Sequence, residues 1–95
     1  MTVFNSNPQT PVDILEGLAE MFGRTAEGVP VMKPEDQIRA MTGLVENIGN
    51  VAANNPEAKA SVVHTLRQCS GNPVLKQDRM APVVSAIEAK LEPLI

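Results

Sequence analysis

Four of the eight prolines in this chain stand where a helix can start. Pro11 follows Thr10, Pro34 precedes Glu35 and Asp36, Pro56 lies between Asn55 and Glu57, and Pro73 follows Asn72. Proline suits the first helical position because its ring fixes a helical φ and its missing N–H would be unpaired there anyway. Thr and Asn before it are good N-caps, and acids just after it sit favourably at the positive end of the helix dipole. The pattern predicts an all-α protein with three or four helices and almost no sheet.

A chain of 95 residues makes one domain. At this size about 60–65% of the unfolded chain's surface is buried on folding, so stability is modest. The core has to be aliphatic: there is no Trp and no Tyr, and the only aromatic residues are Phe4 and Phe22, beside five Met. Aromatic rings bring the largest burial per side chain, so self-association becomes an attractive extra source of stability. Net charge is −3, which disfavours broad attraction to nucleic acid or to acidic membranes. That charge is uneven. Asp13, Glu16, Glu20 and Glu27 face Arg24 alone over residues 1–31, whereas Lys59, Arg67, Lys76 and Arg79 face Asp78 alone over residues 59–79. A single cysteine closes no internal disulfide. Residues 1–10 hold no basic residue and no apolar run, so they do not resemble a secretory signal, and no apolar stretch reaches membrane-spanning length. The expected location is the cytoplasm or the interior of a virion.

Along the chain, residues 1–10 read as a flexible arm, with Phe4 as a group able to dock on a neighbour, and residues 11–95 as one helical domain. The first helix is expected over 11–23, capped by Thr10 and Asp13 at capping-box spacing and stopped by Gly23. Ile14, Leu15, Leu18, Met21 and Phe22 form its predicted core face. A loop over 24–33 brings Val29, Val31 and Met32 near an end of the core. The second helix, 34–54, has the clearest stripe: Ile38, Met41, Val45, Ile48 and Ala52, widened by Leu44 and Val51. Glu35 and Arg39 have the spacing of an i,i+4 ion pair. The third helix, 56–70, aligns Ala58, Val62, Leu66 and Cys69 and ends at Gly71. The fourth, 79–91, aligns Met80, Val83, Val84, Ile87 and Leu91, with Leu94 extending it and Pro93 stopping it. Between them, Asn72-Pro73 opens a short helical turn or Asp78 caps the last helix; the pattern allows either.

No arrangement for catalysis emerges. Cys69 and His64 share a helix but stand roughly 140° apart on it, so a thiolate–imidazole pair does not form directly, and no third group orients one. Cys69 falls on the apolar stripe and His64 on the polar side. Glu16 and Glu20 have the spacing to share a cation, but without the Glu-x-x-His partners a helical di-metal site uses. Neither a P-loop nor a dinucleotide fingerprint is present, nor the Asp-Ser-Leu attachment motif of small acidic carrier domains. No catalytic residue, metal or cofactor is therefore expected.

The remaining signal is a surface. Ala40, Gly43, Asn47, Asn50 and Asn54 form an uncharged strip on the side of the second helix away from its stripe. The reading is a non-enzymatic interaction or assembly protein, an adaptor or small structural subunit of phage or bacterial type. Its partner would be a protein, including a second copy of itself, held by this strip with Phe4 as an anchor. The alternative is a small regulator that binds nucleic acid or an acidic protein through Lys59, Arg67, Lys76 and Arg79. A helix-turn-helix formed by the last two helices is one version of it.

Overall fold

The computed structural model describes residues 10–28 and 32–95. They contain four α-helices and no strand: α1 (Pro11–Ala26), α2 (Pro34–Asn54), α3 (Lys59–Ser70) and α4 (Ala81–Leu91). Short 3₁₀ turns over Pro56–Ala58, Pro73–Lys76, Asp78–Met80 and Glu92–Leu94 flank the last two helices. The positions expected for Phe4, Val29 and Val31, and for the arm apart from Thr10, lie outside the described residues.

Pro11 and Pro34 open α-helices as expected, whereas Pro56 opens a 3₁₀ turn ahead of α3 and Pro73 another, each with a different cap. Pro11 opens α1 behind a complete capping box. The Asp13 N–H donates to Thr10 Oγ1 (3.2 Å), and the Thr10 N–H donates back to Asp13 Oδ2 (3.3 Å). Pro34 opens α2 behind Lys33, which provides no side-chain cap. Asn55 does not cap the turn that Pro56 starts. Its amide donates backwards to the Val51 carbonyl (3.3 Å) and closes α2 instead. Pro73 starts a 3₁₀ turn whose cap is Asn72, with Oδ1 accepting from the Val74 N–H (3.0 Å). Asp78 begins the second such turn and does not cap α4.

α1 runs one turn beyond Gly23, which stays helical. The left-handed residue past its end is Gly28, at φ +83°, a conformation that side-chain-bearing residues rarely adopt. The expected pair of Glu35 with Arg39 is also replaced: Arg39 Nη1 lies 3.8 Å from Asp36 Oδ1, one residue closer along the helix.

α2 is the spine and packs against each of the other three helices, while α1 also packs on α3, and α3 on α4. Buried Met41, Leu44, Val45, Ile48, Val51 and Ala52 give α2 its stripe, facing Val62, Leu66 and Cys69 of α3 and Val83 and Ile87 of α4 within one cluster. Gly49 lies under the Lys90 side chain of α4. A Cβ there would lie 2.8 Å from Lys90 Cδ, so the glycine leaves room for the lysine stem. Gly43, on the other side of the helix, opposes nothing and permits no such approach.

Candidate contact surfaces

The structure moves the buried arc of α1. Leu15, Phe22, Thr25 and Ala26 are buried, and Leu18 is half-buried. Ile14 and Met21, expected in the core, are 37% and 53% exposed. The physical reason is that α1 must cover two neighbours. Packing on α3 as well as α2 rotates its inner face by roughly 40°, towards Ala19 and Ala26 and away from Ile14 and Met21.

The end of α1 is held by a residue that hydrophobic periodicity passes over. Gln37, 7% exposed, donates through Nε2 to the carbonyls of Thr25 (2.8 Å) and Ala26 (3.1 Å). Its Oε1 accepts from Arg79 Nη1 at 3.0 Å. One amide thus joins the last turn of α1, the first turn of α2 and the turn that leads into α4. The bonds also fix direction, since the start of α2 meets the end of α1 and the two run antiparallel.

Within the second-helix strip, Asn47, Asn50 and Asn54 are exposed, and Ala40 and Gly43 are half-buried. By helical register Gly49 marks the α4 side of α2, and Gln37 and Leu44 mark the α1 side. Ala40 and Asn47 follow Leu44 around the helix, so the strip borders the flank of α1 that carries Ile14, Leu18 and Met21.

The basic residues are less uniform. Lys59, Arg67 and Lys76 are exposed. Arg79 is exposed too, but its guanidinium is engaged by Gln77 Oε1 (2.8 Å) and Gln37 Oε1, which gives it a structural task. Two 3₁₀ turns fill the chain between Ser70 and Ala81, far longer than the three- or four-residue turn of a helix-turn-helix.

The other flank of α1 forms an open groove with α3, with a volume of ≈ 550 Å³. Leu15 and Thr65 are buried in it, small Ala19, Ala60 and Ser61 wall it, and Val12, Glu16, His64 and Gln68 stand at its edges. A smaller cavity of ≈ 150 Å³ continues it past Phe22, Gly23, Cys69 and Asn72. These linings place residues 12–16 level with 60–64 and residues 19–23 level with 68–72, so α1 and α3 run parallel.

His64 and Cys69 therefore open onto different cavities. Burial pushes the Cys69 thiol up from 9.0 to about 11, which keeps it protonated and unreactive at neutral pH. The folded state holds the neutral thiol more tightly than the unfolded state does. Its contribution is intact below pH 9.0 and is lost as pH rises towards about 11. Unfolding in urea at about pH 8 and about pH 10.5 should show a loss of roughly 2 kcal/mol that Cys69→Ala removes. An equal loss in that variant means other groups cause it.

Glu20 pairs with Arg24 on the outer side of α1, and no group of three His, Cys, Asp or Glu able to hold a metal occurs among the described residues. Among the same residues, no helix is long and apolar enough to cross a membrane. Comparison of the chain with family models, with characterised proteins and with solved structures finds no match. A helical bundle assigns no activity by itself, so function has to be argued from the surfaces.

Proposed function

We propose that this protein is a non-enzymatic interaction or assembly protein that binds a protein partner by packing a helix face. One observation carries the reading: Ile14 and Met21 are exposed on α1 beside the strip of α2 formed by Ala40, Gly43, Asn47, Asn50 and Asn54. Singly exposed apolar residues are ordinary on protein surfaces. Here two of them adjoin an edge that carries no charge, and the centres of protein interfaces are depleted in charged residues. Gly43 adds an open site in the middle, where a Cβ would meet nothing within 4 Å. Phe4 stays part of the proposal as an anchor on the same partner.

A photo-cross-linking residue at Asn47, introduced in cells that naturally make the protein, should yield a discrete adduct. The same residue at Ser85 on α4 should not. Gly43→Arg has space in the isolated chain and improves helix propensity, so it should leave the fold intact and abolish the adduct. Equal labelling from positions 47 and 85, or an adduct indifferent to Gly43→Arg, would remove the strip as the contact surface.

A further inference from the structure

We propose that the open face shared by α1 and α2 is covered by a second copy of the chain, related by a two-fold axis that crosses both helices near Gly17 and Gly43. The inference rests on the reading of this face as the contact surface and names its occupant. α3 meets α1 on the side of Val12 and Ala19, and α4 meets α2 on the side of Gly49. At roughly 100° per residue both sides turn away from Met21 and Gly43, so α1 and α2 form a layer with one face uncovered. Ile14 and Met21 are exposed on that face beside the uncharged strip. A glycine stands near its centre on each helix, and a Cβ at Gly17 or Gly43 would meet nothing within 4 Å.

Charge gathers at the two edges of the face. On the edge of α1 away from α2, exposed Asp13 and Arg24 lie eleven residues apart, about three turns, and so share one line. On the edge of α2 away from α1, exposed Arg39 and Glu46 lie seven residues apart, about two turns, and share another. Each edge thus carries an acid and a base in line. Glu20, further round α1, has Arg24 as its counter-ion, and Asp36 has Arg39. The side chains of Arg24 and Arg39 remain 66% and 81% exposed, and a guanidinium has five donors, so each can take a second acid.

Two-fold pairing brings a surface onto itself, so only a surface that complements itself can use it. An axis along the helices lays α1 of each copy on α2 of the other and keeps every residue at its own level. Gln37 sets those levels, because its bonds to the Thr25 and Ala26 carbonyls put position 37 of α2 beside positions 25 and 26 of α1. Arg24 would then meet Arg39, and Glu46 would stand midway between Asp13 and Glu20. An axis across the helices lays α1 on α1 and α2 on α2, antiparallel. Each Arg24 then meets Asp13 of the other copy, and each Arg39 meets Glu46. Charge complementarity selects this second direction.

One axis satisfies both helices. The α1 pair places it midway between Asp13 and Arg24, at residues 18 and 19. Counted from the bonds of Gln37, that level falls on α2 at residue 44. The α2 pair places the axis independently, between residues 42 and 43. The two positions differ by about 1.5 residues, roughly 2 Å along a helix, which an arginine side chain spans. About this axis Ile14 of each copy comes within about 3 Å of the level of Met21 of the other. Asp36, in line with the strip, reaches a level between Asn50 and Asn54, whose amides can donate to it. Gly17 and Gly43 flank the axis, where the two backbones approach.

The test uses the purified full chain and light scattering across protein concentration. The unaltered chain should form a dimer, and Gly43→Arg should abolish it. Arg39→Glu sets acid against Glu46 at two symmetric places and should weaken the dimer at least fivefold. Arg39→Glu with Glu46→Arg should restore it. Each variant should remain helical by circular dichroism. In a Cys69→Ala background, Gly43→Cys should close a disulfide between copies under mild oxidation, whereas Asn54→Cys, about 15 Å from the axis, should not. A dimer that Arg39→Glu tightens, or one that cross-links equally from positions 43 and 54, overturns the crossing axis and with it the proposal. A chain that stays monomeric up to about 1 mM also overturns it. If position 47 of such a monomer still gives its adduct in cells, the contact surface stands and another protein occupies it. Loss of both dimer and adduct removes the contact surface itself.

Discussion

Gln37→Leu is expected to destabilise the fold by about 2 kcal/mol, although it replaces a polar residue with an apolar one of similar size. Three hydrogen bonds meet on that side chain, and the substitution removes all of them. The Ala26 carbonyl loses its donor at the end of α1, whereas the Thr25 carbonyl keeps the Gly28 N–H at 3.0 Å. Leaving a buried polar group unpaired costs about 1–3 kcal/mol, and partial wetting of this helix end lowers the sum. The loss reads as a lower urea midpoint at unchanged slope. For a domain of this size it corresponds to a melting temperature lower by roughly 8–16 °C. Arg79→Ala removes only the bond from the exposed side and should cost about 1 kcal/mol. The two effects should not add, because both act through one amide. A loss below about 1 kcal/mol for Gln37→Leu would show that water satisfies the Ala26 carbonyl.

A contrast within one residue type gives the second large effect. Ile48→Ala should cost about 3–4 kcal/mol, and Ile14→Ala less than about 1 kcal/mol. Ile48 is fully buried at the middle of α2, in the cluster shared with the other three helices. Truncating it leaves a cavity that the surrounding aliphatic side chains close only in part. Ile14 is 37% exposed on the outer flank of α1 and leaves no cavity. Chemical denaturation of the two variants measures the difference directly. Equal losses would place Ile14 in the core and withdraw it from the contact surface.

Both isoleucines carry the same signal in the sequence, and the difference shows where such reading stops. The prolines, the capping box at Thr10 and Asp13 and the α2 stripe are local, and a chain of residues records them fully. The rotation of α1 is not local. It depends on α3 taking a place against it, so the window 11–23 holds no trace of it. The groove is invisible for the same reason, being made by two helices more than thirty residues apart. Gln37 was closer to hand: it stands four residues before Met41 and seven before Leu44, in line with the stripe. An amide at such a position signals a buried polar contact, but Glu35 and Asp36 beside it make the segment resemble an ordinary solvated first turn. Arg39 shows the same limit on a smaller scale, since i,i+3 and i,i+4 partners were both present and side-chain geometry decided between them.

The packing of α1 also sorts the methionines by chemistry. Met41 and Met80 are completely enclosed, whereas Met21 presents about half of its surface to solvent. Peroxide therefore reaches the Met21 sulfur well before the two core sulfurs. The sulfoxide is polar, and methionine sulfoxide reductases reverse it. Its formation leaves the interior untouched and changes only the outer flank of α1. Oxidation at Met21 is thus a reversible edit of that flank, made without any change to the core.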